Sequence, residues 1–188
     1  MTPAVFLDRD GTLIDDPDYL DHLDQIAIYP WTADALRLLR RAGFALVVIT
    51  NQSGVGRGLY TEAFVGEVHA RLDAELARGG ASIDGWFHCP HHQASNDPRY
   101  RLACECRKPK PGLVHRAAAA LDLDLSRSVV VGDRWSDIGL ARAVGAAAIL
   151  VETGAGVRQA RRPVDGLRAD AVLPSLAEAA SWIIRERR

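Results

Sequence analysis

The sequence has no excess of either charge: 23 Lys and Arg stand against 24 Asp and Glu, a formal net charge of −1. A nucleic-acid or anionic-membrane surface needs a basic field, so neither partner is expected, and any bound anion must be met by local groups. Long apolar runs are also missing, and a mean hydropathy of −0.06 argues against a membrane protein. The opening residues, MTPAVFLDRDG, lack a basic stretch and hold only a four-residue apolar run before charges arrive, so no secretory leader is expected and a cytoplasmic protein is. Cysteine is scarce. Cys89, Cys104 and Cys106 are odd in number and clustered, which fits poorly with a disulfide framework and better with metal ligation in a reducing compartment. There is no internal repeat or low-complexity segment.

What is present is an alternation of short apolar runs with helical patterns, in a chain of 188 residues that is the size of a single domain, 1–188. Such alternation signals βαβ units, hence an α/β, Rossmann-like parallel sheet with helices on both faces. Strands are predicted over 4–7, 45–49, 128–131 and 147–151, with further ones at 85–88 and 170–172. The first four are continuous aliphatic runs, as strands buried on both faces require. Helices are predicted over 32–41, 61–78, 111–121, 136–144 and 175–184, the second opening on Thr61-Glu62, the third on Pro111 and the fourth closing on Gly145. The basic tail from Arg185 to Arg188 suits a solvated helix end. One stretch breaks the alternation: residues 89–111 have no apolar period and contain all three cysteines. A connection that long is expected to be functional.

Chemistry gathers at the strand ends. The first strand runs into Asp8-Arg9-Asp10-Gly11-Thr12-Leu13, where extended geometry aims residues two apart to one side, so Asp8 and Asp10 converge beyond the carboxyl edge where open α/β sheets bind ligands. Two such carboxylates repel unless a cation or shared proton intervenes, and Mg²⁺ accepts one or two carboxylates with phosphate oxygens as its other ligands. The second strand ends in Thr50-Asn51-Gln52-Ser53, followed by glycines at 54, 56 and 58, a loop able to turn several N–H groups onto phosphate oxygens. The late glycines and the missing acidic partner exclude a dinucleotide fingerprint. Arg107 and Lys108 precede a helix start, a second anion trap. The fourth strand delivers Asp133 and, a turn later, Asp137. Asp133 is placed to complete a metal site. Asp137 is placed either to orient Lys108 or a metal-bound water, or simply as a helix N-terminal Asp favourable to the dipole.

These four pieces, in this order, resemble the haloacid-dehalogenase-superfamily phosphatases over nearly the whole chain. The resemblance implies that fold, with Asp8 as nucleophile of an aspartyl-phosphate and Asp10 as the acid/base. It further implies that Thr50 and Lys108 hold the transferring phosphoryl group, and that Mg²⁺ sits between Asp8, the backbone carbonyl of Asp10 and Asp133. No insertion is long enough for a separate cap domain, so the substrate is expected to be small and walled by loops. By the resemblance Asp16 and Tyr19 meet sugar hydroxyls, Asn51, Gln52 and Ser53 meet substrate, and Arg107 chooses it.

The remaining cluster is Cys89-Pro90-His91-His92, then Cys104-Glu105-Cys106. Three thiolates and an imidazole make a closed tetrahedral set, the pattern of a structural zinc. Zinc would fix loop 89–106, which cannot fix itself by burial, and so place Arg107 and Lys108. Spacing allows His91 or His92; the resemblance to zinc-bearing members of the superfamily favours His91. Among those members the loop looks like that of enzymes acting on a heptose bisphosphate, with histidinol phosphate as the alternative substrate. Arg57, Arg99, Arg101 and Arg107 are candidates for a second phosphate, whereas Asp16, Asp18 and Glu105 would suit the cationic alternative. A zinc-stabilised phosphate-binding protein without turnover is the competing class. A monomer is expected. His22, His69, His88 and His115 receive no role.

Overall fold

The structure, a computed structural model, describes residues 1–187; Arg188, the end of the basic tail, lies outside the described residues. Six strands, β1 (Thr2–Leu7), β2 (Ala45–Asn51), β3 (Gly85–Cys89), β4 (Leu123–Gly132), β5 (Ala147–Val151) and β6 (Ala171–Leu173), form one sheet. Its order is β3-β2-β1-β4-β5-β6, and every pairing is parallel. The helices are α1 (Thr32–Arg41), α2 (Ser53–Gly56), α3 (Glu62–Arg78), α4 (Gly112–Leu121), α5 (Trp135–Val144), α6 (Gly156–Ala160) and α7 (Leu176–Glu186).

Side-chain alternation along the strands divides the interior into two cores. Val5, Leu7, Leu46, Val48, Val129 and Val131 face α1, α3 and α7 through Leu36, Leu72 and Ile183. Ala4, Phe6, Val47, Ile49 and Val130 face α4 and α5 through Leu113, Val114 and Ile138. A strand covered on both sides must be apolar at every position, which is why these runs are continuous. The expected punctuation holds: Thr61 accepts from the Phe64 N–H at 3.1 Å to cap α3, and Gly145 ends α5 in the left-handed region.

Three elements exceed the sequence expectation. Strand β4 starts at Leu123, because the Ser128 hydroxyl accepts from the Ala4 N–H at 2.9 Å and bridges a register irregularity. Polar Asp124, Ser126 and Arg127 hide that extension. Ser53–Gly56 is a short helix within the glycine-rich segment, and α6 is a further short one.

The strand order reverses between β1 and β4, so their following loops diverge and leave a crevice at the carboxyl edge. No second folded layer covers it among the described residues; the walls are loops, as expected without a cap domain. No helix of the described residues is long and apolar enough to cross a membrane.

Candidate active site

Asp8 follows β1 and Asp133 follows β4, at the two lips of that crevice. Asp137, on the first turn of α5, reaches back between them, and one oxygen from each of the three lies within 4.8 Å of the others. Glycine permits this crowding. A Cβ on Gly132 would stand 2.3 Å from the Asp137 carboxyl carbon, and one on Gly11, at φ 75°, would stand 2.4 Å from Asp133 Oδ2.

Lys108 enters from the segment before α4. Its Nζ lies 2.8 Å from Asp8 Oδ2 and 2.6 Å from Asp137 Oδ1, with all three side chains buried. Asn51 holds the backbone there, accepting from the Lys108 N–H at 3.0 Å and donating to its carbonyl at 3.3 Å. The Lys108 ammonium is raised above its usual range; burial opposes this, but Asp137 and Asp8 outweigh it. Asp8 is pushed up to about 6, chiefly by burial, although Lys108 draws it down.

Asp133 is wholly buried. Its Oδ2 accepts from the Ala155 N–H at 2.7 Å, while Oδ1 has no hydrogen-bond donor. Burial, with Asp8 and Asp137 alongside, pushes its carboxyl up to about 8. A sealed carboxylate oxygen without a donor, beside a second carboxylate, fits a hard divalent cation such as Mg²⁺. The Asp10 carboxylate is not in this cluster. It turns to Arg9 and Gln52, so what Asp10 has to offer a cation is the backbone carbonyl the resemblance implied.

A cavity of about 290 Å³ opens above, lined by Asp8, Asp10, Asp16, Asp18, Tyr19, Thr50, Asn51, Ser53, Arg107, Lys108, Arg134 and Ser136. The structure thus brings together every proposed catalytic residue and every proposed substrate contact except Gln52. That side chain is 2% exposed and its amide is engaged by internal partners. Of the four candidate arginines, Arg107 alone lines the cavity, with Nη1 donating to the His91 carbonyl at 3.2 Å. Arg57 lies over the Tyr19 ring and against His92, and Arg99 is held by Asp97. Glu105 is turned away to Lys110. Sequence reasoning missed Arg134, whose Nη2 donates to Asp16 Oδ2 at 2.7 Å across the mouth. Its place in the segment between Asp133 and Asp137 was the available signal.

Cys89, His91, Cys104 and Cys106 converge as well. Cys89 Sγ lies 3.6 Å from both His91 Nδ1 and Cys104 Sγ, and Cys106 Sγ lies 3.1 Å from His91 Nδ1 and from Cys89 Sγ. Zinc–ligand distances of about 2.0–2.3 Å put tetrahedral neighbours roughly 3.5–3.8 Å apart, so this set is close to a zinc tetrahedron. His92 points elsewhere, to Arg57. A wider crevice of about 590 Å³ beside α3 shares His91 and Cys106 but none of the site's carboxylates.

A parallel sheet with Asp8 and Asp133 at its switch point and a buried Lys108 paired with Asp8 and Asp137 is the arrangement of a HAD-like phosphoester hydrolase. The HAD-hydrolase-like family model matches residues 105–179. The chain is 38% identical over 187 residues to D-glycero-beta-D-manno-heptose-1,7-bisphosphate 7-phosphatase of Salmonella typhi, covering 99% of this chain and 97% of the relative. It is 40% identical over 177 residues to the Yersinia pestis enzyme of that name, covering 94% and 92%. The solved D,D-heptose 1,7-bisphosphate phosphatase of B. bronchiseptica, complexed with magnesium and phosphate, superposes with a TM-score of 0.85 at 32% identity, covering 98% of this chain and 99% of that one. On this full-length similarity the chain belongs to the D-glycero-beta-D-manno-heptose-1,7-bisphosphate 7-phosphatase family.

Proposed function

We propose that this chain, acting as a single-domain cytoplasmic monomer, removes the 7-phosphate of D-glycero-D-manno-heptose 1,7-bisphosphate by way of an aspartyl-phosphate. The observation that carries the substrate is the 38% identity over 187 residues with relatives that bear that activity in their name. It favours this reading over histidinol phosphate and over a binding protein without turnover.

Asp8 attacks phosphorus as the bond to the sugar oxygen breaks, and Asp10 donates a proton to that oxygen. Asp10 then takes a proton from the water that hydrolyses the Asp8 acyl-phosphate, which returns both carboxyls to their starting state. Lys108 and Thr50 hold the equatorial phosphoryl oxygens, and Asp137 holds Lys108. Asp8, the Asp10 carbonyl and Asp133 would hold Mg²⁺, which when bound neutralises charge on the phosphoryl group. Arg107 faces the cavity with a planar fork suited to the distal phosphate. Cys89, His91, Cys104 and Cys106 would hold zinc and stiffen the loop that carries Arg107 and Lys108.

Phosphate release from the heptose bisphosphate and from histidinol phosphate, measured with Mg²⁺, tests the reading. We expect a much higher kcat/KM on the bisphosphate and a smaller difference in Arg107→Ala. Equal or reversed efficiencies would remove the heptose assignment, and no turnover of any phosphate ester would favour a binding role.

A further inference from the structure

Arg9 stands between the two aspartates of the first motif, is 2% exposed, and leads the fully buried side chains in size. A guanidinium is rarely sealed from water without a partner that needs it. Here the partner is Asp10: Nε and Nη2 donate to Oδ1 at 2.9 and 2.8 Å, and Nη2 also donates to Oδ2 at 2.9 Å.

Gln52 closes the arrangement. Its Nε2 donates to Asp10 Oδ2 and to Thr50 Oγ1, each at 2.8 Å, while its Oε1 accepts from Arg9 Nη2 at 3.0 Å and from the Tyr60 hydroxyl at 2.9 Å. These partners fix the amide's orientation. Flipped, its NH₂ would face the Arg9 donor and its oxygen would face a carboxylate. The chain from Tyr60 through Gln52 to Thr50 and Asp10 therefore has one self-consistent arrangement, and it ties the acid/base to the hydroxyl at the phosphoryl subsite.

We propose that Arg9 and Gln52 are positioning residues for proton transfer: they hold the Asp10 carboxyl in a single orientation, in register with Thr50. This rests on Asp10 being the acid/base, as read above. The role predicts a dependence that general loop support would not have. A sugar oxygen leaves poorly unless protonated, whereas p-nitrophenolate and acetate leave without that help. Because kcat/KM covers only the steps through phosphoenzyme formation, it isolates the acid half of the cycle.

The experiment measures kcat/KM for the heptose bisphosphate, p-nitrophenyl phosphate and acetyl phosphate in wild type, Arg9→Lys, Gln52→Met and Tyr60→Phe. Arg9→Lys keeps the charge but loses the fork, and Tyr60→Phe removes one hydroxyl without touching a buried charge, so it serves if the other variants fail to fold. Mispositioning an acid whose contribution is about 10²–10⁴ should lower the bisphosphate value by roughly tenfold or more in the first two variants, and by less in Tyr60→Phe. The two activated esters should fall much less in all three. An equal fall on every substrate, or no fall, would overturn the proposal. A wild-type enzyme that hydrolyses none of them would instead remove the phosphatase reading on which it rests.

Discussion

The Lys108 ammonium lies 2.6 Å from Asp137 and 2.8 Å from Asp8, so one buried cation is shared between the end of β1 and the first turn of α5. Asp137 also accepts from the Arg134 N–H at 3.1 Å, which makes it both helix cap and lysine anchor. Orienting Lys108 and capping the helix, two of the roles left open by the sequence, coexist in one side chain, one on each carboxylate oxygen.

Asp137→Ala should release Lys108 onto Asp8 alone and tighten that pair, which makes Asp8 a poorer nucleophile. It also strips a cap and one partner of a buried charge, with an expected cost of about 3–5 kcal/mol. Urea unfolding and steady-state kinetics on the same preparation check both, and unchanged kcat would mean that Asp8 suffices to hold Lys108.

Asp8→Asn should abolish turnover with the fold intact, because the amide is nearly isosteric but a useless nucleophile. Asp10→Asn should lower kcat by about 10²–10⁴. Mass spectrometry of a trapped phosphoenzyme should find the phosphoryl group on Asp8; finding it on another residue would displace Asp8 from its role.

The parts of this site that were legible are those fixed by strand ends. Asp8, Thr50 and Asp133 follow runs whose unbroken apolar character is unmistakable, and the sheet order then needs only the crossover to bring them together. Cys89 and Cys104 were legible because thiols and imidazole at that spacing have few other uses. Arginines were not. Whether Arg57, Arg99 or Arg134 faces the cavity depends on partners such as Tyr19, Asp97 and Asp16 on loops without a period of their own. The internal engagement of Gln52 was hidden for a related reason: its Asp10 partner lies 42 positions away. The start of β4 stayed hidden because Asp124, Ser126 and Arg127 interrupt its apolar run and a serine hydroxyl bridges the register irregularity.

Metal analysis of protein prepared without added zinc should give one zinc per chain, since soft thiolates select it over Mg²⁺. Cys104→Ser should lower the Tm and also the activity, because Arg107 and Lys108 directly follow Cys106 in the same loop. A metal-free chain of unchanged Tm would end the structural-zinc reading.

His69 supplies a pH test away from the active site. It lies on α3, 7% exposed, with its ring stacked on Trp86 at 4.6 Å and Nε2 without a hydrogen-bond partner. Burial, then the positive charge of Arg9, lowers its pKa from 6.5 to about 3. Above pH 6.5 the imidazole is neutral in both folded and unfolded chains, so it imposes no penalty there. Between 6.5 and about 3 the unfolded chain takes up a proton that the folded one refuses, and stability must fall as the pH falls. From pH 7 to pH 5 this one group should remove about 2 kcal/mol. His69→Phe keeps a ring against Trp86 but has no site to protonate. Its urea-unfolding free energy should therefore lose about 2 kcal/mol less than wild type over that interval. Parallel curves for the two proteins would mean that His69 is protonated without cost in the fold, and that the acid sensitivity arises elsewhere.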